Sequence, residues 1–424
     1  REVVSMEPGS EPVIIAERHN RIRRLPMMEQ IAATRAVKDL VAAHDYLGAI
    51  QARGASFGSM LELFETMSTP PAEPSTNADS TPSSTARPKR VAIIHAGGLA
   101  PGMNTAARAA VRLGIDHDFT MLGVYGGFPG LLDGDVRELT WADVEGWVGD
   151  GGAQLGTRRE VPTIEQLYAL GRAIELHEID ALLVIGGYNA YLSAFRLVTE
   201  RDRYPAFQIP IVCVPASIDN NLPGSELSIG TDTALNNAVV ALDSIKLSAA
   251  ASHRCFVAEV MGRKCGYLSL MSGLATGAEK VYLNEEGITL KGLAADSERM
   301  VESFRSGRSL YLVIRNERAS VNYTTDVLAH IFAEEGKGLY DVREAILGHQ
   351  QQGGSPTAFD RIMATKLVAY SLDLLAGALK RGEPTASYVG LVGGKVSDHP
   401  LDRMNDDLDR DHRRPRHQWW LGLR

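Results

Sequence analysis

The sequence has little cysteine: Cys213, Cys255 and Cys265 are the three in 424 residues. Three thiols cannot staple a disulfide scaffold, and their spacing holds no paired zinc ligands. Such sparing use fits a reducing compartment and predicts a cytoplasmic location. Basic charge is in the minority, with 44 Lys and Arg against 52 Asp and Glu and a net charge of −8. That balance excludes a protein that coats nucleic acid through bulk charge, while leaving room for a local basic pocket around a small anion. No apolar run reaches the roughly 20 residues that span a bilayer, so no membrane partner is expected. No secretory signal opens the chain. It begins with Arg1 rather than Met, and the expectation is a fragment. What is present is an ordinary globular composition, 44% hydrophobic and 23% charged, long enough for two or three domains with sizeable cores.

Residues 69–90 read TPPAEPSTNADSTPSSTARPKR, in which 13 of 22 are Pro, Ser or Thr and none is a large aliphatic or aromatic residue. Such a stretch buries too little apolar surface to offset its ordering entropy, and it reads as a disordered linker. Before it, residues 26–67 carry a helical pattern, with Met27, Ile31 and Val37 on one side. After it, apolar strands alternate with helices. Strands are expected at 91–98, 120–127, 179–187, 209–217, 255–262 and 309–317, and helices at 103–114, 189–200 and 231–249. Near-continuous Val, Ile and Leu runs between helices imply a parallel-rich α/β sheet covered on both faces. Ligands of such sheets bind beyond the carboxyl ends of the strands, so the turns there are the places to look.

Those turns are polar and distinctive. GGLAPGMN (97–104) lets backbone approach a phosphate at a helix start, but lacks the Gly-Lys-Ser/Thr ending of a nucleotide loop. A tight turn that merely requires glycine explains it equally well. GGYNA (186–190) offers no carboxylate to a magnesium ion. PASIDNNLPGS (215–225) places Asp219 between polar neighbours, as a base or as an Asx-turn acceptor. SHRCFVAEVMGRKCGY (252–267) carries Arg254 and Arg263, whose guanidinium groups match phosphate; an exposed arginine is the commoner reason for either. LGHQQQGGSPTAFDR (347–361) holds His349 and Gln352, which are donors or plain structural residues. Taken together, the ordered turns with several Arg and a His suit a small, doubly anionic ligand.

The ordered set GGLAPGMN, LGTRR, GGYNA, SIDNN, EVMGRKCGY, RNE and LGHQQQGGSPTAFDR resembles the 6-phosphofructokinase family over roughly residues 91–424. YTTDVLAHIFAEEGKG and HQWWLGLR are most similar to the C-terminal half of the double-length eukaryotic members, fungal-type ones especially. The resemblance implies two Rossmann-like lobes with a sugar-phosphate cleft between them. It also implies three segments: residues 1–68 as the helical end of an upstream catalytic half, 69–90 as linker, and 91–424 as the regulatory half.

In catalytic halves of that family an Asp in a TIDND-type turn takes the proton from the sugar hydroxyl, a GGDG-type turn holds magnesium and ATP, and an arginine in a GH-x-x-R turn holds the substrate phosphate. Here Asp219 matches the base, Asn221 replaces the second carboxylate, Tyr188-Asn189 replace Asp-Gly, and Gln352 replaces the arginine. The resemblance therefore implies an allosteric half whose cleft binds fructose 2,6-bisphosphate. Magnesium and ATP are expected in the other half, and no metal here. The residues carried over are Arg159, Ser217, Ile218, Asp219, Asn220, Asn221, Arg254, Met261, Gly262, Arg263, Glu317, Arg343, His349, Gln350, Gln351, Gln352 and Arg413. Arg254 and Arg343 are expected to reach a neighbouring half across an interface, so self-association is expected too. Two other expectations stand beside this one: an active phosphofructokinase domain with Asp219 as base, and a structural pseudo-enzyme half.

Overall fold

The computed structural model describes residues 87–406 and 408–424, with scattered positions between 39 and 70. The chain divides into two units, Arg1–Ser68 and Thr69–Arg424. In the first, the described positions 39–40, 42, 48–49, 63–64 and 66–68 are helical. Met27, Ile31 and Val37, on which the helical expectation rests, lie outside the described residues, as does 71–86 of the expected linker.

The linker's far end is built into the second unit. Arg87 and Lys89 pair with Asp180 at 2.6 and 3.2 Å. Arg90 is already the first residue of β1 (Arg90–Ala96), so residues 87–90 of the expected linker belong to the second unit's ordered structure.

The first sheet starts with β1, β2 (Thr120–Val124), β3 (Val136–Glu138), β4 (Ala181–Gly186) and β5 (Ile211–Pro215). The chain then crosses to a second sheet of β6 (Arg254–Val260), β7 (Lys280–Tyr282), β8 (Leu310–Asn316) and β9 (Asp341–Ile346). It returns for β10 (Ala386–Val392) and β11 (Lys395–Pro400). The strand orders are β11-β10-β5-β4-β1-β2-β3 and β7-β8-β6-β9. Every pairing in the second sheet is parallel. In the first, only the edge strands β3 and β11 run antiparallel. Sequence reading finds the parallel strands β1, β2, β4, β5, β6 and β8 but misses β7, β9 and β10 as well as these two edges; β3, β9 and β11 are rich in charge and carry no apolar run.

Helices cover both sheets: α1 (Met103–Asp116), α2 (Gly127–Leu132), α3 (Leu167–Leu176), α4 (Tyr188–Thr199), α5 (Thr231–Ala250), α6 (Tyr267–Thr276), α7 (Leu290–Arg305), α8 (Thr325–Gly336) and α9 (Ala358–Arg381). The central strands are covered on both faces. Ile93, Ile94, Leu182, Leu183, Val184 and Ile185 are fully buried, and each contributes about 1.5–3 kcal/mol over an exposed side chain. Among the described residues, one buried cluster surrounds β1 and β4 and another surrounds β6 and β8. The resemblance-based expectation of two α/β lobes is met.

α9 is 24 residues long, and its length and composition would allow it to cross a bilayer. It is instead a core helix: Met363, Leu367, Val368, Leu372 and Leu375 are buried. Its amino end is pinned to that of α5 by Asp360. This buried carboxylate accepts from the backbone N–H of Gly230 at 2.9 Å, from that of Thr233 at 2.8 Å, and from the Thr233 hydroxyl at 2.5 Å. Even so, burial pushes its pKa up to about 6.

The ends of β1 and β4 meet where Ala96 and Gly186 are register partners. A Cβ on Gly186 would lie 1.9 Å from the Ala96 carbonyl oxygen and 2.8 Å from Ala190 Cβ. Gly186→Ala must therefore push the two central strands apart. The expected cost is about 2 kcal/mol or more in chemical denaturation; an unchanged midpoint would contradict this packing.

Candidate anion-binding cleft

From β1 the chain steps to β2 on one side and later to β4 on the other, which opens a crevice at their carboxyl ends. Gly97 (φ +97°) turns there so closely that an added Cβ would sit 3.1 Å from the Gly187 nitrogen. A cleft of about 470 Å³ spreads from this point across to the second sheet. Its floor is made of the turns after β1 (Gly97, Gly98, Leu99), β4 (Gly187, Tyr188, Asn189) and β5 (Ser217, Ile218, Asp219, Asn221). Its opposite wall comes from the turns after β6 (Met261, Arg263, Lys264) and β8 (Glu317, Arg318, Val321), together with Asn284. Arg159, Gln352 and Arg413 complete it. Five cations, at 159, 263, 264, 318 and 413, thus share the space with two carboxylates, at 219 and 317. That surplus sits in a chain of net charge −8.

Asp219 is partly buried on the first-sheet side. Desolvation, helped by the Glu317 carboxylate, pushes its pKa up to about 6, and Arg263 and Arg159 oppose the rise. Glu317 has a second task. Its Oε1 accepts from the backbone N–H groups of Gly262 and Arg263 at 3.2 and 2.8 Å, fixing the turn that presents Arg263.

Neutral amides hold the arginine-bearing segments by their backbones. Asn189 Nδ2 donates to the Arg159 carbonyl, and Asn221 Nδ2 donates to the Arg413 carbonyl at 3.0 Å while Oδ1 accepts from the Ser217 hydroxyl at 3.2 Å. A carboxylate at 221 could not make that donation. Gln352 Nε2 donates to the Leu99 carbonyl at 3.2 Å, tying the second-sheet turn to the glycine turn after β1. The Arg413 guanidinium lies 5.8 Å from the Tyr188 ring centroid, within cation–π range.

Of the expected site residues, the cleft brings together Arg159, Ser217, Ile218, Asp219, Asn221, Met261, Arg263, Glu317, Gln352 and Arg413. Four support it from behind. Asn220 is buried, with its amide turned to Glu226 and Ser228. Gly262 contributes its backbone N–H to Glu317. Gln351 accepts from the Met261 N–H at 3.3 Å. The Gln350 carbonyl accepts from Asn237 at 3.2 Å.

His349 and the Gln350 side chain are exposed on the far side of their 3-10 turn and do not line the cleft. Neither do Arg254 and Arg343. Arg254 opens β6, about 20 Å of strand away from the turn at its carboxyl end. Arg343 lies on the sheet-edge strand β9, and both arginines approach Asp341, at 3.6 and 3.7 Å. Strand direction alone keeps this pair out of the chain's own cleft.

Sequence reasoning singled out the turns after β1 and β4 without placing Gly97, Gly98, Leu99, Gly187, Tyr188 or Asn189 in the site. Lys264 was also passed over, although it adjoins Arg263. Asn284, Arg318 and Val321 carry no signal of their own and reach the cleft only because the second sheet folds there. The turn after β4 supplies no carboxylate to the cleft, whose acidic groups are Asp219 and Glu317, and among the described residues no three His, Cys, Asp or Glu side chains converge.

Two parallel-rich sheets with a cationic cleft at the switch point define the class: a two-lobed α/β protein. The family described as Phosphofructokinase matches residues 90–375, and the chain belongs to that family. It is 40% identical over 422 residues to the ATP-dependent 6-phosphofructokinase of Dictyostelium discoideum, covering 99% of this chain and 50% of that protein. It is 38% identical over 427 residues to the platelet-type enzyme of Rattus norvegicus, covering 98% and 53%. The chain thus spans about half the length of the curated relatives it matches. Phosphofructokinase from Saccharomyces cerevisiae superimposes with a TM-score of 0.82 at 31% identity, covering 94% of this chain and 54% of that one. Pichia pastoris phosphofructokinase in the T-state gives 0.83 at 31% identity, covering 94% and 47%.

The raised pKa of Asp219 has a stability consequence. A carboxyl whose folded pKa is about 6, against roughly 4 unfolded, binds its proton more tightly when folded, so ligand-free stability falls as pH rises through that window. Asp219→Asn should raise stability at pH 7.5 by on the order of 1–2 kcal/mol and leave it nearly unchanged at pH 4, as thermal unfolding will read. Equal effects at both pH values would contradict the assignment.

Proposed function

We propose that this chain is the effector-binding half of an ATP-dependent 6-phosphofructokinase, and that its cleft binds fructose 2,6-bisphosphate. The whole protein would transfer the γ-phosphate of ATP to fructose 6-phosphate in glycolysis, in the cytoplasm, with magnesium and ATP held by its other half. The observation that carries this reading is what occupies the four positions that depart from the family's catalytic pattern. Tyr188, Asn189, Asn221 and Gln352 each hold a cleft arginine or a cleft turn. They replace groups that would bind metal or transfer phosphate with groups that brace a cationic pocket. Phosphoryl transfer rests on positioning and on metal neutralisation of charge; this cleft keeps the first and lacks the second.

The chemistry of the ligand follows from the lining. Arg159, Arg263, Lys264, Arg318 and Arg413 suit two phosphates. Asp219 and the free oxygen of Glu317 suit sugar hydroxyls. Arg254 and Arg343, excluded from their own cleft, are suited to complete that of a neighbouring copy, so self-association belongs to the proposal. An active domain with Asp219 as base has one observation in its favour, a carboxyl poised at about 6 beside Arg263. It lacks a carboxylate at 188–189, where the family's catalytic pattern has one. A pure scaffold would have no use for five cations in one cleft.

Calorimetric titration with fructose 2,6-bisphosphate at two salt concentrations tests the reading. Saturable binding is expected in associated samples, weakening at least several-fold at the higher salt. Absence of binding in an associated sample, or full affinity in a demonstrably monomeric one, would overturn it. For the active-domain reading, Tyr188→Asp with Asn189→Gly should give no measurable turnover; clear turnover would revive that alternative.

A further inference from the structure

The carboxy-terminal segment brings Arg413 to the cleft and is bonded to both lobes. Its two short strands, β12 (Leu408–Asp409) and β13 (Arg414–Pro415), pair antiparallel. On the first-sheet side, Asn221 donates to the Arg413 carbonyl and Gln418 donates to the Asn220 carbonyl at 2.8 Å. On the second-sheet side, Lys264 donates to the Asp411 carbonyl at 2.8 Å. Arg414 reaches Glu285 Oε1 at 3.2 Å, in a pair whose side chains are 5% and 1% exposed. That same oxygen accepts from the Gly266 N–H at 2.9 Å at the start of α6, while Glu285 Oε2 is buried without a partner. Trp420, fully buried, packs edge-on against Tyr267 at 5.8 Å and lies 5.6 Å from the Arg414 guanidinium.

Between these anchors sits Arg413, in the left-handed backbone region at φ +50°. A bulky residue adopts that conformation only where its surroundings impose it. The preceding loop is closed by Asp409, which accepts from the backbone N–H groups of Asp411 and His412. The constraint on the other side is the next residue, Arg414.

We propose that Arg414, clamped by buried Glu285, is the positioning residue for Arg413, and that the strap 408–420 makes anion binding depend on the two lobes being held together. The inference rests on the reading of the cleft as an anion site. Arg414 touches no cleft surface; it acts through its neighbour. The charge on Arg414 also keeps the half-satisfied Glu285 carboxylate tolerable in the interior, so the strap cannot lift without stranding a buried anion. Anything that separates the lobes withdraws Arg413, and an anion bound to Arg413 pulls the strap and both lobes together.

The test is a double-mutant cycle on the intact chain, titrated with fructose 2,6-bisphosphate. Arg413→Ala removes a charged contact with the anion and Arg414→Met removes the clamp that presents it, so each should weaken binding about tenfold or more. Arg414→Lys should recover part of the loss, because it restores charge to Glu285 without the guanidinium fork. In the Arg413→Ala background, Arg414→Met should cost nothing further. Additive losses, or an unaffected affinity in Arg414→Met, overturn the proposal.

Arg414→Met leaves Glu285 unpaired, and if it fails to fold, Arg414→Lys and Glu285→Gln serve in the same cycle. If the unaltered chain binds no sugar bisphosphate, the functional reading falls on its own. The positioning claim is then read by amide hydrogen exchange. Faster exchange confined to 409–418 in Arg414→Lys and Glu285→Gln supports the clamp, and unchanged exchange there overturns it.

Discussion

Holding five cations in one cleft of about 470 Å³ is the constraint on which this structure turns. Like charges at such spacing repel, and desolvation between two lobes sharpens the repulsion. The chain meets it with neutral groups as well as with Asp219 and Glu317. Asn189 and Asn221 fix Arg159 and Arg413 through their backbone carbonyls, which leaves both guanidinium groups on the cleft surface. A carboxylate at either position would have competed with the ligand for the same arginines. The cations are thereby left facing the cleft, and electrostatic focusing in such a cleft raises local anion concentration.

That bracing draws on the whole fold. Gly186 and Gly97 let β1 and β4 close at the switch point, α5 and α9 carry the chain between sheets with Asp360 locking their starts together, and the terminal strap ties the lobes across the opening. The cleft is a property of the distance between two sheets more than of either sheet alone. In the proposed reading, ligand binding and lobe placement share these contacts, which is what an effector site requires if occupancy is to be felt elsewhere in an assembly.

Much of this was legible in the sequence. Apolar runs such as ALLVIG and VAIIHA announce buried parallel strands because they are short, rich in β-branched residues and end in glycine turns. The polar turns that follow them announce the site because ligands bind there in such sheets. What stayed hidden is what depends on direction and distance. Arg254 and His349 occupy motifs that read as ligand-binding, yet strand polarity and the face of a 3-10 turn carry them away from the chain's own cleft. Arg318 and Val321 carry no motif and still arrive there. Edge strands β3 and β11 lack an apolar run, and the buried Glu285–Arg414 pair links residues 129 positions apart, a separation no local pattern encodes. The replacements Tyr188, Asn189, Asn221 and Gln352 could be read as losses, but not as the hydrogen bonds and ring contact that they make.

The central claim is that this cleft binds a phosphorylated sugar through cationic side chains and without metal. Phosphorus NMR of fructose 2,6-bisphosphate bound to the associated chain, with excess chelator and then with added magnesium, tests it most directly. The account predicts that both phosphorus resonances shift on binding under chelator and stay in place when magnesium is added. Resonances that shift only after magnesium is supplied would contradict it, and would return the cleft to the class of metal-dependent phosphoryl-transfer sites.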